Sequence, residues 1–163
     1  MLTQERLKEL FHYDPYTGVF TRLVRISRNT KVGDIAGRLR NSKGYHYIRL
    51  DGKFYYTHRL AWLYMIGEFP SGQIDHINGN KDDNRFTNLR DVSQSTNMQN
   101  LRKPRSGNTS GFLGVSWNQQ SCNWRAQIRI CGKKKYLGGF PTAELAYEAY
   151  LTAKRLHHNG CTI

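Results

Sequence analysis

Asp75, His76, Asn88 and Asn97 are the residues whose types and spacing could do chemistry. A carboxylate supplies a hard anionic oxygen and an amide a neutral one, a pair that suits a Mg²⁺ ion keeping most of its waters. An imidazole beside such an ion titrates near neutrality and can take a proton from water. Its second ring nitrogen needs an acceptor to fix the tautomer, and the Asn88 side-chain carbonyl is a candidate. Taken singly, Asp75 and Asn88 read as turn formers, and His76 and Asn97 as surface residues. Asn100 shares the helix face of Asn97 and is its rival as a ligand. Asp82, Asp83 and Asn84 read as loop residues.

Four elements must hold these side chains. Residues 73–77 and 88–92 are short apolar–polar runs, read as strands. Between them lies a loop of Asn, Asp and Gly, residues that favour tight turns. Ser93 is placed to cap a polar helix carrying Asn97 one turn in. The local expectation is strand, loop, strand, helix. Neighbours in a regular strand point to opposite faces. Asp75 and His76 are therefore expected where the strand breaks, ahead of Asn78-Gly79.

The text of this stretch is D-H-I-N-G (75–79), D-N-R (83–85), N-L-R (88–90) and N-x-x-N (97–100), with Asn88 thirteen and Asn97 twenty-two residues after Asp75. It resembles the HNH homing endonucleases, nucleases built on a ββα-metal finger. The resemblance implies Asp75 and Asn97 as metal ligands, His76 as general base and Asn88 as its orienting partner. Asn97 stands where many members carry a second His, which favours Mg²⁺ or Mn²⁺ over a softer metal.

The chain is 163 residues long with a net charge of +13. Residues 1–100 carry 15 basic and 10 acidic side chains; residues 101–163 carry 10 and 2. The excess sits in the last third and points to a polyanion. The basic residues there lie among Trp and Tyr in strand-like runs, which argues against a membrane surface. No run approaches a membrane span, and the N-terminus lacks a signal pattern. Three cysteines without a C-x-x-C pair exclude a four-Cys zinc site and fit a reducing cytoplasm, that of a bacterial or phage-infected cell.

Ahead of the finger, Thr3 caps a short helix over residues 4–11, and residues 14–18 form a turn into a strand. Asp51-Gly52 marks a hairpin between residues 45–50 and 53–57. Arg22, Arg25, Arg28, Arg38, Arg40 and Arg49 are placed to follow phosphates, or simply to be solvated. Residues 58–66 read as a helix closed by Gly67. His58 opens it and is read as scaffold or phosphate contact, not as a metal ligand.

Residues 101–110 are basic, small and polar and read as an extended linker, with Arg102, Lys103 and Arg105 able to neutralise phosphates. Beyond them, residues 115–117, 124–130 and 134–137 read as three strands. Arg125, Gln127 and Arg129 share one face with Lys134 and Tyr136, a set suited to base edges and phosphates in the major groove. Thr142 caps a helix to about residue 157, with Leu145, Ala146, Ala149, Ala153 and Leu156 on its apolar stripe. G-F-L-G-V (111–115), W-R-A-Q-I-R (124–129), Y-L-G-G-F (136–140) and T-A-E-L-A-Y-E-A-Y (142–150) resemble the AP2 DNA-binding domain. That resemblance implies DNA contacts at Arg125, Gln127, Arg129, Lys134 and Tyr136. Ser116 departs from it where many plant members have a contacting Arg, so no target sequence carries over.

The reading is an α+β protein. Residues 1–100 form a β-hairpin-rich nuclease domain with the ββα-metal finger at about 73–100. Residues 101–110 are a basic linker, and 111–163 pack a three-stranded antiparallel sheet on one helix. The expected activity is metal-dependent hydrolysis of double-stranded DNA, one strand per active site, by a monomer or weak homodimer. A regulator with a decayed finger and an RNA-binding or RNA-cleaving protein are the other readings.

Overall fold

The computed structural model describes residues 2–162. The chain divides into two compact units, residues 1–93 and 94–163. The boundary falls seven residues before the one expected from composition, so the helix of the finger counts with the second unit.

In the first unit, Thr3 accepts the Arg6 N–H and caps α1 (Gln4–Leu10). The chain then runs directly into β1 (Phe11–Asp14), antiparallel to β2 (Val19–Arg22), which pairs with β3 (Ile35–Ala36). β4 (Leu39–Arg40), β5 (His46–Leu50) and β6 (Lys53–Tyr56) form a second sheet in that order. Asp51 and Gly52 both take positive φ at the β5–β6 turn, the tight hairpin expected of Asp-Gly. α2 (Thr57–Ile66) ends at Gly67 in the left-handed region, whose N–H bonds the Leu63 carbonyl. β7 (Gln73–His76) and β8 (Leu89–Val92) pair antiparallel, with a 3₁₀ turn (Phe86–Asn88) leading into β8.

One core joins these pieces. Leu7, Leu10, Phe11, Tyr13 and Phe20 pack with Ile48, Leu50, Leu60, Ala61, Leu63, Ile74 and Leu89. Burying this much apolar area is the main force holding the finger strands to the N-terminal hairpin. Trp62 of α2 meets Phe86 with ring centroids 5.6 Å apart, fixing the 3₁₀ turn.

The second unit opens with α3 (Gln94–Gln99). β9 (Val115–Asn118), β10 (Asn123–Ile130) and β11 (Lys133–Phe140) follow, ordered β11-β10-β9, with α4 (Ala143–His157) across one face. Thr142 caps α4 through the Leu145 N–H, as expected. The apolar stripe differs. Ala143, Ala146, Tyr150 and Lys154 are the buried positions, while Leu145 and Leu156 are exposed. The helix is turned so that its small residues meet the sheet. Gly114 sits so close to Tyr150 that a Cβ there would lie 2.2 Å from the ring.

The linker is not wholly extended either. Buried Lys154 donates to the Leu101 carbonyl at 2.6 Å, and the Arg102 guanidinium donates to the Thr162 carbonyl and hydroxyl. Gly160 N–H bonds the Gln99 side chain, which ties α3 to the C-terminal segment. Arg102 is thus engaged inside the unit, whereas Lys103 and Arg105 are exposed.

Candidate active site

Asp75 and His76 close strand β7, paired with Arg90 and Leu89 of β8. The break expected at this point comes after His76, where Gly79 takes positive φ and its N–H bonds the His76 carbonyl. Both side chains are buried, and they meet different partners. The Arg90 guanidinium, cross-strand from Asp75, donates twice to the same oxygen, Oδ2, at 2.9 and 2.7 Å. The His76 ring meets Tyr45, His58 and Asn84.

Asn84, a loop residue by sequence, is buried against this ring. Its Oδ1 lies 3.2 Å from His76 Nε2, and both residues are buried. A carbonyl oxygen accepts only, so Nε2 carries the hydrogen and Nδ1 the basic lone pair. Burial pushes the His76 pKa below its usual value; the bond to Asn84 and the nearby Asp75 and Asp83 carboxylates oppose this. The imidazole is neutral at pH 7, the state a general base needs.

Asn84 is itself held from far away in sequence. The buried Tyr13 hydroxyl of β1 donates to its carbonyl at 2.7 Å. The 14–18 turn presses on the same place. Gly18 has φ +75°, and a Cβ there would lie 2.5 Å from Arg85 N and Asn84 C. Phe86 N–H also bonds the Pro15 carbonyl. The N-terminal hairpin is therefore the buttress of the loop that aims Asn84 at His76.

Asn88 takes a different place from the expected one. Its Oδ1 accepts the Asn78 N–H, and its Nδ2 donates to Asn78 Oδ1 and the Asp83 carbonyl, at 2.8–3.0 Å. It clasps the two ends of the loop. The carbonyl found at His76 Nε2 is that of Asn84, not of Asn88. Asp83 is held by Arg85, which keeps its carboxyl at about 2, and Asp82 pairs with Arg40 and His46.

His58, at the start of α2, packs edge-on against His76 with centroids 5.3 Å apart. Tyr56 stacks on it at 5.4 Å and Tyr45 meets it at 5.2 Å. Burial, with His76 and Arg59 adding, drives its pKa down to about 3, so it is a neutral wall of the site.

Among the described residues no group of three His, Cys, Asp or Glu could form an all-protein metal cage. Asp75 is a single buried carboxylate, a ligand type that suits a hard divalent ion keeping most of its waters. Asn97 lies on α3, in the second unit.

The HNH endonuclease family model matches residues 55–99, the span from β6 to the end of α3. The chain is 34% identical over 101 residues to Protein 3.8 of Escherichia phage T7, covering 61% of this chain and 83% of that protein. It is 32% identical over 136 residues to DNA endonuclease I-HmuI of Bacillus phage SP01, covering 73% and 75%. This chain belongs to the HNH endonuclease family. HNH endonucleases generally use a divalent metal, and His76 closes β7 within the span that the family model matches. A 49-residue segment is also 45% identical to APETALA2-like protein 2 of Oryza sativa, covering 30% of this chain and 11% of that protein.

In the second unit, Arg125, Gln127 and Arg129 alternate with buried Ala126 and Ile128. Register pairs Gln127 with Tyr136 and Arg129 with Lys134, which puts all five expected contact residues on the face away from α4. The Arg125 guanidinium lies 5.0 Å from the centre of the exposed Tyr136 ring. A register shift after Ala126 sharpens the twist of this pair. No helix among the described residues is long and apolar enough to cross a membrane.

Proposed function

We propose that this HNH endonuclease hydrolyses phosphodiester bonds in double-stranded DNA, with His76 as general base. The observation that carries the reading is the buried His76 ring with Nε2 on Asn84 Oδ1, a tautomer that puts the basic lone pair on Nδ1. Nδ1 takes a proton from water as that oxygen attacks phosphorus. The bond from phosphorus to the 3′-oxygen breaks, and this oxygen is protonated from solvent. The products are a 5′-phosphate and a 3′-hydroxyl.

Asp75 is the proposed carboxylate ligand of a divalent ion, Mg²⁺ or Mn²⁺. Asn97 is the second ligand, on the family spacing alone. When bound, such an ion supplies positive charge against the charge developing on the phosphate and the leaving oxygen. The Arg90 guanidinium pairs with Asp75 at 2.7 Å and holds its carboxylate in place. Asn88 keeps the loop closed.

Residues 111–163 are the proposed recognition module. Arg125, Gln127, Arg129, Lys134 and Tyr136 offer bidentate and stacking groups to one groove, and Lys103 and Arg105 neutralise phosphates on the way. The AP2-like segment match and the basic excess of the last third support this. One site per chain would nick one strand per event, in the cytoplasm of a phage-infected bacterium.

Supercoiled plasmid with Mg²⁺ tests the reading. Nicking should stop with EDTA and fall at least 100-fold in Asp75→Ala, while DNA binding stays within a few-fold. Nicking that survives either change contradicts the assignment.

A further inference from the structure

The β4–β6 sheet of the first unit has one face on the core and one that nothing in that unit covers. Ile48 and Leu50 point inward and are buried. The opposite face carries Leu39, Tyr47, Arg49, Phe54 and Tyr56, brought together by the pairs Leu39–Tyr47, Tyr47–Tyr56 and Arg49–Phe54. Phe54 is 65% exposed and Leu39 61%. Asn41, Tyr47, Phe54 and Tyr56 line a cleft of about 360 Å³ there. Tyr47 meets Phe54 edge-on at 5.2 Å, and the Arg49 guanidinium lies 5.7 Å from the Phe54 centroid. At the other end, Asn41 Nδ2 donates to the Tyr56 hydroxyl at 3.1 Å.

Flat rings beside a guanidinium, with an amide and a hydroxyl at the rim, are the chemistry that takes up a nucleobase. The rings stack on its π-face, the amide and hydroxyl meet its edge, and the cation meets a flanking phosphate. The five residues of this face include one charge, the Arg49 cation, which suits a polyanion. The position adds to this. Tyr56 stacks on His58, and His58 packs on His76, so a single imidazole separates the cleft wall from the proposed base.

We infer that this cleft holds one unpaired nucleobase of the DNA strand, displaced from the duplex close to the cleaved phosphate. The inference rests on the nuclease reading and adds a separate binding site to it. Extruding the base anchors the strand at a fixed distance from His76. The selectivity comes from how easily the base unstacks, not from its sequence.

The test uses the full chain in EDTA, so nothing is cut. Labelled 20-mer duplexes carry either one bulged thymidine or one bulged abasic site at the same place, and binding is read by fluorescence anisotropy. The thymidine bulge should bind about 5- to 100-fold tighter. Phe54→Ala and Phe54→Leu should bring the two within twofold, and Phe54→Trp should keep the difference. Phe54 is on the surface, so these variants fold. Equal binding of the two bulges by the unaltered chain overturns the inference, as does a preference that Phe54→Leu retains, which would mean apolar contact without stacking. Mg²⁺-dependent plasmid nicking on the same preparation is scored apart. Nicking without a bulge preference defeats the cleft alone, and a bulge preference without nicking defeats the nuclease reading alone.

Discussion

Replacing Asn84 with Ala should cripple the enzyme without unfolding it. The bond it removes is a 3.2 Å contact between two buried side chains. A buried Nε2–H left without an acceptor costs about 1–3 kcal/mol. The ring can avoid that cost by moving its hydrogen to Nδ1, which puts the basic lone pair on the wrong nitrogen. A general base contributes about 10²–10⁴ in rate, so partial loss of the right tautomer should lower kcat about 10- to 100-fold. Substrate binding is untouched, so KM should stay within about twofold. Asn84→Asp keeps an acceptor at the same place and should recover most of the rate. The assay is initial-rate nicking of supercoiled plasmid at several plasmid concentrations, with thermal unfolding run alongside. Nicking by Asn84→Ala within twofold of the unaltered enzyme, or an Asn84→Asp as slow as Asn84→Ala, would show that Asn84 does not set the His76 tautomer.

Other outcomes follow from the same geometry. Gly18→Ala forces a side chain into the left-handed region and onto the Asn84–Arg85 backbone, which is far away in sequence. It should cost about 2–4 kcal/mol, roughly 10 °C in the melting of the first unit, and lower nicking at temperatures where the protein is still folded. His58 has a folded pKa of about 3 against an ordinary value near 6.5. Between these values the unfolded chain binds the extra proton and the folded one does not. Its contribution is therefore complete above pH 6.5 and is lost as pH falls toward 3, by up to about 5 kcal/mol. Denaturant midpoints taken from pH 7 to pH 4 should show this slope, and His58→Phe, which keeps a ring against Tyr56, should flatten it.

Much of this site was legible in the residues, and the exceptions have physical causes. The strands β7 and β8 fall within a residue of expectation, because their apolar alternation is bounded by turn residues on both sides. α2 and the Asp51-Gly52 turn carry local signals of equal strength. β1 was hidden, since Phe11 and Tyr13 follow the apolar residues of α1 without a break. Asn84 was hidden for a deeper reason. Its role depends on Tyr13, 71 residues earlier, and on the close approach of Gly18, and neither leaves a mark near position 84. The stripe of α4 differs from the one that residue type predicts, since Leu145 and Leu156 are exposed. The sheet instead accepts Ala143 and Ala146, and Lys154 is buried because its ammonium meets the Leu101 carbonyl. Arg102 looked like a phosphate ligand and is engaged with Thr162.

The most direct measurement is single-turnover nicking by His76→Ala at saturating Mg²⁺ and plasmid, with DNA binding measured in parallel. If His76 is the base, the chemical step slows at least 100-fold while DNA affinity and the melting temperature change little. A rate within threefold of the unaltered enzyme would mean that another group takes the proton, and the site would have to be assigned anew.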